Sequence, residues 1–178
     1  SQLYGMEVCI TRYYNVYGPH QDIKRTSPPF VAYLIKELLQ NKKPILHSNG
    51  EQQRDYVYID DVNELNLLCM THPNAKDQIF NVSSGIATSV NQIYNIVASN
   101  LNSNIKPIFR DSKKIWDKYP SLFDRKYHLN EKRIEEETEK FTLGNVEKAE
   151  KLIGWKAITS IEEGLSKTIE YAKKTLSK

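Results

Sequence analysis

The residues best suited to chemistry lie in the stretch Gly50-Glu-Gln-Gln-Arg-Asp-Tyr-Val-Tyr-Ile-Asp-Asp-Val62. Arg54 carries a planar fork that can grip a phosphate through two parallel hydrogen bonds, and it falls on a strand-like run that would hold it rigidly. The ordinary alternative for a strand arginine is a salt bridge on the sheet surface. Asn15, before a Val-Tyr-Gly-Pro turn, and Asn81, in Phe80-Asn-Val-Ser-Ser-Gly85, can each bond a ligand or close their own turns. Tyr13, Tyr14 and Tyr17 can line a ring-shaped ligand or pack at a core rim. Asp60 and Asp61 form a carboxylate pair, but a helix start accounts for both, because Asp61 precedes Glu64 at capping-box spacing. None of His20, His47, His72 and His128 has a His, Cys or carboxylate at metal-ligand spacing, although His47 borders the turn before Arg54. Ser83-Ser84-Gly85 lacks the flanks of a nucleophile elbow.

The elements that must position these residues alternate between strands and helices. Glu7 to Tyr14 reads as a strand with Val8, Ile10 and Tyr13 as its candidates for burial, and Gly18-Pro19 closes the turn after it. Ser27 is placed to cap a helix with Pro28 or Pro29 in its first turn, and Phe30, Val31, Leu34, Ile35, Leu38 and Leu39 recur at helical spacing. Pro44 to His47 is a short apolar strand. Gln53 to Ile59 is a second, with Arg54, Tyr56 and Tyr58 on one face and Asp55, Val57 and Ile59 on the other. The Asp61 helix follows, carrying Val62, Leu65 and Cys69 on one side. Gln78 to Val82 is another strand, and Ser89 with Gln92 forms a capping box for a helix bearing Val90, Ile93, Val97 and Leu101. After a strand at Lys106 to Phe109, Arg110 to Lys140 is highly charged and studded with aromatics. Such aromatics predict an ordered excursion. Asn145 opens a short helix ended by Gly154, and Ser160 with Glu163 marks a third capping box before the last helix. The class is α/β.

Composition narrows the field. The chain has 178 residues, 39% hydrophobic and 26% charged, with a net charge of +3, and its lysines and arginines are interspersed with nearly as many acids. That pattern describes a solvated surface and argues against a nucleic-acid partner. No apolar run reaches the length of a membrane span. Cys9 and Cys69 are lone thiols without metal or redox spacing, which fits a reducing cytosol and a cytoplasmic location. The seven glycines never fall in the spacing of a dinucleotide loop. The first residue is Ser1 and a strand follows at once, as expected of a truncated protein.

Four ordered motifs resemble a known family. They are Arg12-Tyr-Tyr-Asn-Val-Tyr-Gly-Pro19, Asn49 to Val62, Phe80 to Gly85 with Ser89-Val90, and Leu152-Ile-Gly-Trp155 with Glu163-Gly-Leu165. Their order and spacing are similar to those of extended short-chain dehydrogenases/reductases, the NAD-dependent epimerases and dehydratases of sugar nucleotides. The resemblance covers the family's C-terminal half. It implies a substrate-binding part of an extended Rossmann-type fold that keeps the last Rossmann strand and lacks the glycine-rich half. Residues 1–26 would be that strand and its connecting loop, and 27–178 a substrate-binding domain with a non-standard insertion at about 110–140. The family's catalytic Tyr-x-x-x-Lys does not occur here, so no catalytic residue is assigned.

By the same resemblance, Tyr13 and Tyr14 would border the nicotinamide of NAD. Asn15, His47, Arg54, Tyr56 and Asn81 would bind a sugar nucleotide carrying UDP, dTDP or another nucleoside diphosphate, with Arg54 on the diphosphate. The family reaction is hydride transfer through a keto-sugar, in a protein expected to be a homodimer. The chain alone would be inactive; the alternative is a non-catalytic nucleotide-sugar binding module. Where the family has an Arg-x-Gly-Asp-like segment, Trp116 to Phe141 stands instead, with Arg125 and Arg133 as candidate replacements.

Overall fold

A computed structural model describes residues 3–111, 114, 119–123, 132, 136 and 140–177. Seven strands occur among them: β1 (Ile10–Tyr13), β2 (Asn15–Tyr17), β3 (Ile45–His47), β4 (Gln53–Tyr58), β5 (Ile79–Val82), β6 (Ala87–Ser89) and β7 (Ile108–Arg110). Among the described residues the longer helices are α1 (Phe30–Leu39), α2 (Ile59–Thr71), α3 (Val90–Asn100), α4 (Glu147–Ile153) and α5 (Ile161–Leu176), with short 3-10 turns at Pro73–Ala75 and Pro120–Phe123. Arg125 and Arg133 lie outside the described residues, as does most of the charged excursion.

The strands form three small sheets. β1 pairs with β5 and β3 with β7, both parallel, while β4 lies between parallel β2 and antiparallel β6. Being central, β4 is buried on both faces. Tyr56 and Tyr58 enter a core made with α1, α3 and α5, through Leu34, Ile35, Ile93, Val97, Leu165 and Ile169. Val57 enters a second core with Phe80, Leu65, Ile153 and Trp155. β4 serves both cores because its alternation sends successive residues to opposite layers, and β2 beside it does the same with Tyr17 and Val16.

Several local expectations change. The strand predicted from Glu7 begins at Ile10, and Ile10 and Tyr13 are 49% and 52% exposed, not buried. Among the described residues β1 is paired with β5 alone. Ser27 does not cap α1, which starts behind Pro29 with no side-chain cap. Ile59 belongs to α2, which begins directly after β4. Asp61 therefore sits inside the first turn, 3% exposed, and does not cap the helix. Its carboxylate accepts from Ile158 N–H (3.3 Å) and Thr159 N–H (3.2 Å), and its carbonyl accepts from Trp155 Nε1–H (3.0 Å). Asp61 thus fastens the lead-in to α5 onto α2. Asn145 accepts from Glu147 N–H at 2.9 Å one residue before the cap position of α4, and Gly154 ends that helix at φ +69°. Ser89 and Gln92 make both bonds of their capping box; Ser160 accepts from Glu163 N–H at 3.1 Å. Each such cap stabilises its helix by about 1 kcal/mol.

Candidate functional site

β1 and β5 run side by side and end together at Tyr13 and Val82. Both chains then cross into the β2–β4–β6 sheet, β1 through Tyr14 and β5 through residues 83–86. Tyr14 N–H donates to Val82 O at 3.0 Å where they part. Strand ends at such a change of sheet leave backbone groups unpaired by ladders, and that is where α/β proteins build ligand sites.

Asp55 pins this crossing. Wholly buried, it accepts on Oδ1 from Ser84 N–H (2.7 Å) and Ser84 Oγ–H (2.8 Å), and on Oδ2 from Gly85 N–H (3.0 Å) and Gly144 N–H (3.0 Å). Four donors on one carboxylate satisfy its burial cost. The last of them brings in the segment 140–145, which runs along the start of β4. Thr142 N–H donates to Gln53 O at 3.2 Å, and Asn81 Nδ2 donates to Asn145 O at 3.1 Å. A side chain at position 144 would collide with Ser83 Oγ and come within 3.2 Å of the Tyr14 ring, so only glycine lets the segment close down.

Four of the seven residues singled out from sequence meet here. Arg54 donates through Nη1 to Gln53 O (3.0 Å) and to Lys140 O. Asn15 Nδ2 donates to Asp55 O at 2.8 Å, Asn81 holds Asn145, and Tyr14 lies against Gly144. The other three lie apart from this cluster. Tyr13 turns toward α2, donating from Oη to Asn66 Oδ1 at 3.0 Å. Tyr56 is in the core beside Tyr17, ring centroids 6.4 Å apart, and burial pushes its phenol up to about 12 against the opposing pull of Arg54. His47 faces a separate cavity of about 480 Å³ lined with Ser27, Phe30, Tyr33, Gln52 and Arg110. Partial burial, and then the charge of Arg110 paired opposite it, hold the His47 imidazole below its usual pKa. That cavity adjoins the Arg54 strand through Gln52. It combines an aromatic wall, the hydroxyls of Thr26, Ser27 and Tyr33 and a guanidinium, the composition of a pocket for a polar ring.

Sequence reasoning missed Asp55, Arg110 and the 140–145 segment. Arg110 becomes a neighbour of His47 only through the β3–β7 register, which no local pattern encodes. Asp55 was signalled weakly, by an acid alternating with buried residues on a strand that is apolar on both sides.

The sequence profile of the GDP-mannose 4,6 dehydratase family matches residues 1–168. Among curated proteins, a putative UDP-glucose 4-epimerase of Methanocaldococcus jannaschii is 31% identical over 173 residues, covering 97% of this chain and 48% of that protein. The dTDP-D-glucose 4,6-dehydratase of Mus musculus is 33% identical over 172 residues, 96% of this chain and 42% of the mouse protein. Among solved structures, the UDP-glucose 4-epimerase of Thermotoga maritima, with UDP-glucose, superposes with a TM-score of 0.79 at 30% identity, over 98% of this chain and 48% of its own. A UDP-glucuronic acid 4-epimerase of Bacillus cereus, in complex with UDP-glucuronic acid and NAD, shares the fold at a TM-score of 0.75 and 22% identity, with 98% and 48% covered. The chain spans about half the length of the curated relatives it matches. Those matches run through the Arg54, Asn15 and Asn81 motifs, and the chain belongs to the GDP-mannose 4,6-dehydratase family of extended short-chain dehydrogenases/reductases.

Proposed function

We propose that this chain forms the sugar-nucleotide side of an NAD-dependent epimerase or dehydratase, with residues 27–178 as its substrate-binding domain. The observation that carries the reading is the meeting of Asn15, Arg54 and Asn81 around the Asp55 crossing, beside the His47–Arg110 cavity. In this reading the diphosphate lies on Arg54, with Asn15 next to it, and the nucleoside extends toward His47. The half-exposed Tyr13 ring at the end of β1, with Tyr14, offers an edge that fits a nicotinamide. When bound, NAD supplies the hydride acceptor, and this chain's residues orient the sugar. The family's Tyr-x-x-x-Lys is absent from the sequence, so the proton-transfer residues belong to further sequence of the same protein. Partners implied by the reading are a UDP-, dTDP- or other NDP-sugar and a second copy of the complete protein.

Calorimetry with UDP-glucose and dTDP-glucose on the complete protein tests it. Arg54→Ala should weaken binding roughly tenfold or more, the equivalent of one charge-assisted phosphate bond of about 1.5–3 kcal/mol. Unchanged affinity would remove Arg54 from the site. The lack of a catalytic tyrosine in the chain also fits a second reading, a nucleotide-sugar binding module without catalysis. Reading the gene upstream of Ser1 separates the two: a glycine-rich loop and Tyr-x-x-x-Lys support the enzyme, and their absence supports the module.

A further inference from the structure

Cys9 and Cys69 are distant in sequence but adjacent in the fold. Cys9 immediately precedes β1, and the alternation of that strand puts Cys9, Thr11 and Tyr13 on one side. Asn66 and Cys69 lie one helical turn apart on α2, facing that side: Tyr13 Oη–H donates to Asn66, and Cys9, Thr11, Asn66 and Cys69 line one cavity of about 580 Å³. Both thiols are partly buried against the Phe80–Trp155 core, and Cys9 lies near enough to Cys69 to disfavour its thiolate.

We propose that Cys9 and Cys69 form a peroxide-oxidisable dithiol whose disulfide staples the start of β1 to α2. The open cavity gives a small oxidant access. Burial, and then the neighbouring Cys9, push the Cys69 thiol up, which disfavours Cys69 as the first nucleophile and leaves that step to Cys9. The Cys9 thiolate takes one oxygen of hydrogen peroxide: an S–O bond forms, the O–O bond breaks, and the departing hydroxide leaves as water after protonation. The Cys69 sulfur then attacks the Cys9 sulfenic acid. An S–S bond forms, the S–O bond breaks, and the hydroxyl leaves as a second water with the Cys69 proton. Each sulfur is oxidised by one electron and both peroxide oxygens are reduced. The staple closes a loop containing β1 to β4, and its effect would be felt at Tyr13 and Tyr14, at the far end of β1.

The test treats the chain with equimolar hydrogen peroxide, alkylates the remaining thiols and maps tryptic peptides without reductant. The expected product is one chain lighter by two hydrogens, with the peptide ending at Arg12 joined to Asp55–Lys76 and separated again by dithiothreitol. The linked chain should also melt about 5–10 °C higher. In Cys69→Ala the first step should stop at a Cys9 sulfenic acid that dimedone traps. Two alkylated cysteines, separate over-oxidation, or linkage only between chains would each overturn the proposal. A linked chain that melts no higher would overturn the stapling role. The wild-type map decides the pairing by itself, whether or not the variant folds.

Discussion

Replacing Asp55 with asparagine should be among the most damaging isosteric changes in the molecule. The side chain keeps its shape, but one acceptor oxygen becomes a donor. If the amide oxygen keeps the Ser84 pair, the NH₂ group faces Gly85 N–H and Gly144 N–H; in the other rotamer it faces Ser84 N–H and Oγ–H. Two buried bonds are lost in either case, at about 1.5–3 kcal/mol each for bonds to a charged acceptor, and the remaining two weaken. The expected cost is about 3–5 kcal/mol, a large share of the roughly 5–15 kcal/mol that holds a domain folded. With a urea m-value of about 2 kcal/mol/M, the midpoint seen by far-ultraviolet circular dichroism should fall by about 1.5–2.5 M. Ser84→Ala removes the hydroxyl donor to Asp55 and the acceptor of Ile86 N–H but leaves the other three donors to the carboxylate, and should cost about 1–2 kcal/mol. A loss below about 1 kcal/mol for Asp55→Asn, or one equal to that of Ser84→Ala, would refute the view that this carboxylate pins the crossing.

Two further outcomes follow from packing and charge. Gly164→Ala should destabilise by about 1–2 kcal/mol, although alanine ordinarily favours a helix by about 1 kcal/mol. The new methyl would press on the buried Tyr17 phenol, 2.8 Å from its Cζ and 2.9 Å from the Tyr58 ring. A higher melting temperature would show that the tyrosines give way. His47 binds protons less readily folded than unfolded, so its contribution is present above its unfolded pKa and is lost as pH falls through that value toward the lower folded one. Stability measured from pH 7 to 5 should therefore decline slightly more in the wild type than in His47→Gln. Arg110→Gln should narrow the difference. Identical pH profiles would contradict the Arg110 contact.

The helices were legible because their signals are local. Apolar spacing located α1, α3 and α5, and the Ser89–Gln92 box placed the start of α3 to the residue. What failed was decided at a distance. Asp61 shows a capping spacing, but β4 runs straight into α2 and carries Asp61 into the first turn, where two amides near position 158 claim its carboxylate. β6 is three residues long and exists because β4 offers it an edge, so its sequence carries no period to read. The segment 140–145 has no pattern of its own, and it takes its place from Asp55 and Asn81. Arg54, Asn15 and Asn81 were found as single residues. Their meeting depends on two strands changing sheets at one level, which spacing alone does not reveal.

That double crossing also governs how the molecule can move. Rotation of one sheet against the other would have to bend the chain at Tyr14 and at residues 83–86 together, tearing Asp55 from its donors. Breaking those four bonds costs roughly 6 kcal/mol or more, beyond the few kcal/mol that separate interconverting conformers. The crossing is a weld and cannot serve as a hinge. A ligand at Arg54 therefore meets a preformed wall, and any motion that admits or encloses it must come from the loops around that wall.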